Sequence, residues 1–250
     1  MLKDRIAVIV GASSGIGAAI GRLFAQQGCR VVLAARRRDA LSKISEEIGG
    51  TAIPTDVRSE AQVAALFREC ERIHGRLDVL VNSAGVVGPT VPIQDEDMAS
   101  WDETFSVNVR AVALAIKHAV PLLKQRGGAI VNIASDAVLR PKAQRAAYAA
   151  SKCAVVGLTQ AIAQELGPFN IRANVILPGA TRTEMLESLF AARAAQYGVT
   201  ADEIISQTVK TVALRRIAEP GDIAALALFL ASDFARAVTG SAIVADGGRQ

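Results

Sequence analysis

Short unbroken apolar runs alternate along the chain with longer stretches in which apolar residues recur every three or four positions. The runs fall at 5–10, 30–35, 51–55, 78–82, 129–134, 170–177 and 241–245. They do not alternate in and out as a half-exposed strand does, so they predict strands covered on both faces, and hence a parallel sheet. The stretches between them predict helices over 15–27, 38–48, 59–74, 98–123, 146–166 and 222–231. This order predicts an α/β fold: a doubly wound parallel sheet of about seven strands with helices on both faces. The interval 181–217 holds no strand candidate and breaks the alternation. It predicts a helical excursion over a site.

With 250 residues, 51% of them hydrophobic, the chain can form one sizeable core, and a single domain over 1–250 is expected. No repeat, low-complexity tract or Pro/Gly-rich linker divides it. The net charge is +4, and apart from Arg36-Arg37-Arg38 the basic residues are dispersed. That argues against a nucleic-acid partner. The three cysteines, Cys29, Cys70 and Cys153, are far apart and form no disulfide framework. The first apolar run is too short for a secretory signal, and the uncharged stretch 79–94 is broken by Gly85, Gly88, Pro89 and Pro92. A cytoplasmic protein without a membrane partner is expected.

The first run leads into Gly11-Ala-Ser-Ser-Gly15-Ile-Gly17. Glycines in a strand-to-helix turn allow tight reversal and close approach of the backbone to a pyrophosphate. The helix start then offers N–H donors and a positive dipole end. The spacing G-x-x-x-G-x-G differs from the usual G-x-G-x-x-G. NAD sites place an acid at the end of the second strand to bind the ribose hydroxyls. Here Ala35 and Arg36 occupy that place. A guanidinium suits a phosphate, which favours NADP(H) over NAD.

Tyr148 and Lys152 lie four positions apart in Tyr-Ala-Ala-Ser-Lys, on one face of a predicted helix. A phenol has a reference pKa near 10, too high for efficient proton transfer at neutral pH. A cation held close would lower it toward neutrality. Just past the run at 129–134 comes Ser135. Ligands of open α/β sheets bind outside the carboxyl ends of strands, and a hydroxyl there can donate to a developing alkoxide. Serine, tyrosine and lysine behind a phosphate-binding turn describe carbonyl reduction, or the reverse alcohol oxidation.

With these motifs the sequence resembles the short-chain dehydrogenase/reductase family, in its single-domain form of about 250 residues. The likeness covers nearly the whole chain and implies a Rossmann-type fold. The glycine turn resembles the family's TGxxxGxG, with Val10 in place of its threonine, and implies cofactor contacts from Gly11, Ser13, Ser14, Gly15, Ile16 and Gly17. Thr-Asp-Val at 55–57 resembles its D-[VL] step, where Asp56 would bond the adenine amino group and Val57 would flank the ring. Val-Asn-Ser-Ala-Gly at 81–85 is similar to its NNAG stretch, with Ser83 replacing an asparagine. It implies that Asn82, Ala84 and Gly85 steady the sheet and border the cofactor. Asn108 matches the family's catalytic asparagine, which sits at a helix irregularity and whose carbonyl holds a water linked to the lysine. Ile-Leu-Pro-Gly at 176–179 is similar to the PG motif, so Pro178, Gly179, Thr181 and Thr183 would line the nicotinamide side. Asn108, Ser135, Tyr148 and Lys152 thus fill the four catalytic positions, and Lys152 would also bond the nicotinamide ribose.

No His/Cys/Asp/Glu grouping has metal-ligand spacing, and His74 and His118 are isolated. Asp136 reads as structural. Arg140, Gln144 and Arg145 lie where the family shapes its pocket. They either meet a polar or anionic substrate or form a solvated loop. The expected activity is that of an NADP-dependent oxidoreductase acting on a small-molecule carbonyl or secondary alcohol. The competing reading is an inactive dinucleotide-binding scaffold, which has no need of Tyr148 and Lys152 together. The helix at 222–231 is apolar nearly all round and Ala149, Ala150, Ala154, Gly157 and Ala161 are small. Together with the resemblance they imply a homotetramer.

Overall fold

The computed structural model describes residues 1–249. Seven strands form one parallel sheet: β1 (Ile6–Val10), β2 (Arg30–Ala35), β3 (Thr51–Pro54), β4 (Val79–Asn82), β5 (Gly128–Ile133), β6 (Ile171–Pro178) and β7 (Ala242–Ala245). Their order is β3-β2-β1-β4-β5-β6-β7, with every neighbouring pair parallel. The helices are α1 (Gly15–Gln26), α2 (Arg38–Ile48), α3 (Glu60–His74), α4 (Met98–Phe105), α5 (Ala111–Leu123), α6 (Ala146–Leu166), α7 (Glu184–Tyr197), α8 (Ala201–Lys210) and α9 (Pro220–Ala231).

The lack of in–out alternation has a direct cause. Ile6, Val8 and Val10 enter one core with residues of α3, α5 and α6, while Ala7 and Ile9 enter a second with α1, α2 and α9. Both faces of β1 and β4 are therefore buried. The expectation fails only at the sheet edges: β3 is half-buried, and β7 alternates exposed and half-buried positions. The strand order reverses between β1 and β4, which opens a crevice at their carboxyl ends.

The single helix expected over 98–123 is α4 and α5 joined by a π-helical turn, Ser106–Arg110. By length and composition this rod could cross a membrane, but over half of its most apolar window, 56%, is buried inside the fold. The interval 181–217 holds α7 and α8. Phe190, Ala194, Ile204 and Ile217 give it a small core of its own. A bridge between Thr181 and Ala218 ties its two ends. The apolar helix α9 is covered more fully than its pattern implies. It does not rest on the sheet alone, because α1 packs beside it along with β5 and β6. Only positions such as Ala225 and Phe229 are left exposed.

Candidate active site

The glycine turn is shaped by close backbone approach. A Cβ on Gly11 would lie 2.4 Å from the Ala84 nitrogen, and one on Gly17 would lie 2.3 Å from the Gly11 oxygen. No side chain fits at either position, so β1, the loop after β4 and the start of α1 come together closely. Gly11 and Gly15 also take left-handed backbone angles, with φ of 85° and 55°. This leaves a cradle at the α1 N-terminus lined by Gly11, Ser13, Ser14, Gly15 and Ile16. It suits a pyrophosphate, whose charge the helix end would favour.

Two arginines follow β2. Arg36 is exposed, lines the cleft and acts electrostatically on Asp56. Arg37 turns over the glycine turn itself. Its Nε donates to Ser13 Oγ at 3.3 Å, its Nη2 donates to Ser14 Oγ, and its Nη1 pairs with Glu184 Oε2 at 3.1 Å. The sequence alone does not single out Arg37, although it stands in the same arginine run. Asp56 is gripped by the Arg58 guanidinium, which approaches to 2.6 Å and holds its carboxyl down to about 2. Arg58 also pairs with Glu103.

Val57, Ala84, Gly85, Pro178, Gly179, Thr181 and Thr183 all line the same cleft, of about 860 Å³. Three expected site residues do not. Gly17 lies behind the turn. Asn82 points into the sheet, where its Nδ2 donates to Asn132 Oδ1 at 2.9 Å and Asn132 donates on to Thr159 Oγ1 at 2.8 Å. That buried chain ties β4 and β5 to α6. Asn108 is fully buried in the π-helical turn. Its Oδ1 accepts from the Val86 N–H at 2.8 Å, and its Nδ2 donates to the Val86 carbonyl at 2.9 Å and to Ser151 Oγ at 3.0 Å. Its amide thus pins the loop after β4 to α6.

Ser135, Tyr148 and Lys152 converge on the cleft. Ser135 caps the short turn after β5, accepting from Ala137 N–H at 3.2 Å, and its hydroxyl donates to Asp136 Oδ1 at 3.3 Å. Lys152 is buried, and its Nζ donates to the Ile133 carbonyl at 3.2 Å. Burial lowers its pKa to about 8. The same Nζ and Asn108 Oδ1 would each lie 3.3 Å from a Cβ on Gly85, which explains the glycine there.

The electrostatics of Tyr148 differ from the expectation. Burial raises its pKa above 10, the neighbouring Ser135 hydroxyl and the charge of Arg145 oppose the shift, and Asp136 adds to it. Lys152 is not among these influences. Its Nζ is 5.8 Å from the ring centroid and is turned to a backbone carbonyl. At neutral pH the phenol therefore keeps its proton. Asp136 pairs with Arg249 Nη1 at 2.5 Å.

The family model described as enoyl-(acyl carrier protein) reductase matches residues 11–250. A short-chain type dehydrogenase/reductase from Mycobacterium ulcerans is 32% identical, with a TM-score of 0.90 over 99% of this chain and 90% of its own. This chain belongs to the short-chain dehydrogenase/reductase family. Oxidoreductase UcpA of Salmonella typhimurium is 38% identical, over 99% of this chain and 95% of UcpA. A single-residue variant of actinorhodin polyketide ketoreductase, solved with NADPH, is 30% identical, with a TM-score of 0.94 over 98% of this chain and 97% of that one. Family membership makes the chain an oxidoreductase of CH–OH and C=O groups that binds a nicotinamide dinucleotide. The glycine turn at the α1 N-terminus, the serine hydroxyls and the two arginines fit such a group.

Proposed function

We infer that this family member is an NADP-dependent oxidoreductase that reduces a carbonyl to a secondary alcohol, or runs the reverse, with Tyr148 as general acid and base. The observation that carries this reading is the convergence of Ser135, Tyr148 and Lys152 on one cleft whose other end is the glycine cradle. When bound, a nicotinamide dinucleotide supplies the hydride. The chain does the rest. The Ser135 hydroxyl orients the carbonyl oxygen and donates to it as negative charge develops. The Tyr148 phenol, kept protonated by burial, gives its proton to that oxygen. Below about pH 8 Lys152 is an ammonium held on the Ile133 carbonyl rather than on the phenol. Asn108 positions the Val86 loop and α6. In the cofactor's grip, Lys152 would bond the ribose, Asp56 and Val57 would meet the adenine, and Pro178, Gly179, Thr181 and Thr183 would flank the nicotinamide.

Support for NADP over NAD comes from Ala35, which offers no carboxylate, and from Arg36 and Arg37 at the cleft mouth. Replacing both arginines by Gln is expected to lower kcat/KM with NADPH roughly 10- to 100-fold relative to NADH, the range for lost charge-assisted hydrogen bonds. Wild-type turnover with NADH equal to that with NADPH would refute the assignment. The buried thiols of Cys29 and Cys70, each pushed up to about 12, suit a cytoplasmic protein that forms no disulfides. A homotetramer is supported by Gly157 and Ala161, small residues exposed on α6. A Cβ on Gly157 would touch nothing within 4 Å, so nothing inside the chain requires a glycine there. Light scattering tests this: a mass near 26 kDa, that of one chain, would exclude assembly.

A further inference from the structure

Beyond Tyr148 the cleft is enclosed by the loop 136–145, by α7 and by Arg249. Five basic side chains line this end: Arg140, Lys142, Arg145, Arg193 and Arg249. Two are neutralised. Arg140 pairs with Asp246 at 2.9 Å and Arg249 with Asp136 at 2.5 Å. Among the described residues Lys142, Arg145 and Arg193 have no ion-pair partner, and the two acids at this end, Asp136 and Asp246, are already engaged. Lys142 and Arg145 both sense Arg193. Lys142, exposed at the cleft rim, is lowered by partial desolvation and then by Arg249 and Arg193, with Asp136 opposing, and Arg145 is lowered by burial with Arg193 adding to it and Tyr148 opposing. Arg145 also acts on the Tyr148 phenol, so the cluster lies beside the proton donor rather than at the cofactor's phosphate end.

The backbone supports this placement. Gln144 holds a left-handed φ of 63°, and its carbonyl accepts from the Val91 N–H at 3.2 Å. A glutamine adopts that conformation only where its surroundings impose it. Arg145 follows directly and precedes the first residue of α6, one turn before Tyr148. Like charges gathered in a partly desolvated cleft repel one another, and a bound anion is what relieves them.

We propose that Lys142, Arg145 and Arg193 form an anion subsite, so that the carbonyl substrate carries an acidic group, carboxylate or phosphate, close to the carbon that is reduced. This rests on the reading of the cleft as a carbonyl-reducing site and adds its substrate class. The test compares kcat/KM with NADPH for 3-oxobutanoate against its methyl ester, and for dihydroxyacetone phosphate against dihydroxyacetone. The charged member of at least one pair is expected to win by roughly 10- to 100-fold, and the winning pair tells carboxylate from phosphate. Arg145→Met and Arg193→Met are expected to collapse that ratio mainly through KM, and Arg145→Lys to retain part of it. Equal turnover of charged and neutral members overturns the subsite and leaves the oxidoreductase reading standing. If no ketone is reduced, that reading fails and binding decides the subsite. Succinate or inorganic phosphate should then raise Tm in the wild type and not in the Arg145→Met/Arg193→Met double variant. Equal shifts, or none, overturn it.

Discussion

The two ends of the cleft are built on different terms. At the cofactor end the lining is largely main chain, pressed so close that a methyl group at Gly11 or Gly17 would collide with backbone atoms. The elements behind it, β1, α1 and β4, belong to the two large cores. At the substrate end the lining is side chain. The interval 181–217, with α7 and α8, rests on four buried residues of its own and leaves Met185, Tyr197 and Leu214 exposed. A backbone site shaped by close approach accepts one conformation of one ligand class. A side-chain site on a small separate core can change its lining without disturbing the sheet. The difference places the general chemistry at one end and the choice of substrate at the other, with Ser135 and Tyr148 where they meet.

The largest effects belong to that meeting point. Tyr148→Phe removes only the phenolic proton and is expected to cost roughly 10³- to 10⁴-fold in kcat, at the upper end for general acid catalysis, with cofactor affinity kept. Ser135→Ala is expected to cost roughly 10²- to 10³-fold, as for one lost transition-state donor. Near-normal turnover in Tyr148→Phe, measured by NADPH consumption, would end the proposed mechanism.

Stability separates the two ends next. Lys152 is lowered from its ordinary 10.5 to about 8 by burial alone. Between these values the unfolded chain binds more protons, so this group's contribution to stability rises with pH from about 8 to 10.5 and is most unfavourable below 8. Lys152→Met is therefore expected to stabilise the cofactor-free protein at pH 7 by up to about 3 kcal/mol, with the gain shrinking as pH passes 8. Urea midpoints at several pH values check this, and a gain independent of pH would refute the burial argument.

Gly17→Ala is expected to cost about 1–3 kcal/mol, because its Cβ would meet backbone that cannot rotate away. The smallest global effect is expected from Phe190→Ala. If α7 and α8 open on their own, the unfolding free energy from urea titration falls by less than about 1 kcal/mol, while amide exchange rises over 184–210. A loss of about 3–5 kcal/mol, usual for a core phenylalanine, would show that this end is part of the main cooperative unit. Lower exchange in the wild type with NADPH and product would support closure of this excursion over the site.

The sheet, its parallel sense, the glycine turn and the Tyr148–Lys152 pair were legible in the chain because they are local. Strand burial shows as unbroken apolar runs, and a four-residue spacing on a helix already sets two side chains on one face. Residues distant in sequence decided the rest. Whether Asn82 meets a cofactor or Asn132 depends on which way it leaves β4. The charge state of Tyr148 depends on burial and on where the Lys152 amine turns, and spacing reports neither. Arg37 reaches Ser13, Ser14 and Glu184 only because β2, the glycine turn and α7 meet at one mouth. Lys142 and Arg193 read as scattered basic residues, and Arg145 as either a pocket or a solvated-loop residue, until the fold sets all three along one cleft. Desolvation and charge proximity depend on atoms that the fold brings together, so the tertiary structure alone determined them.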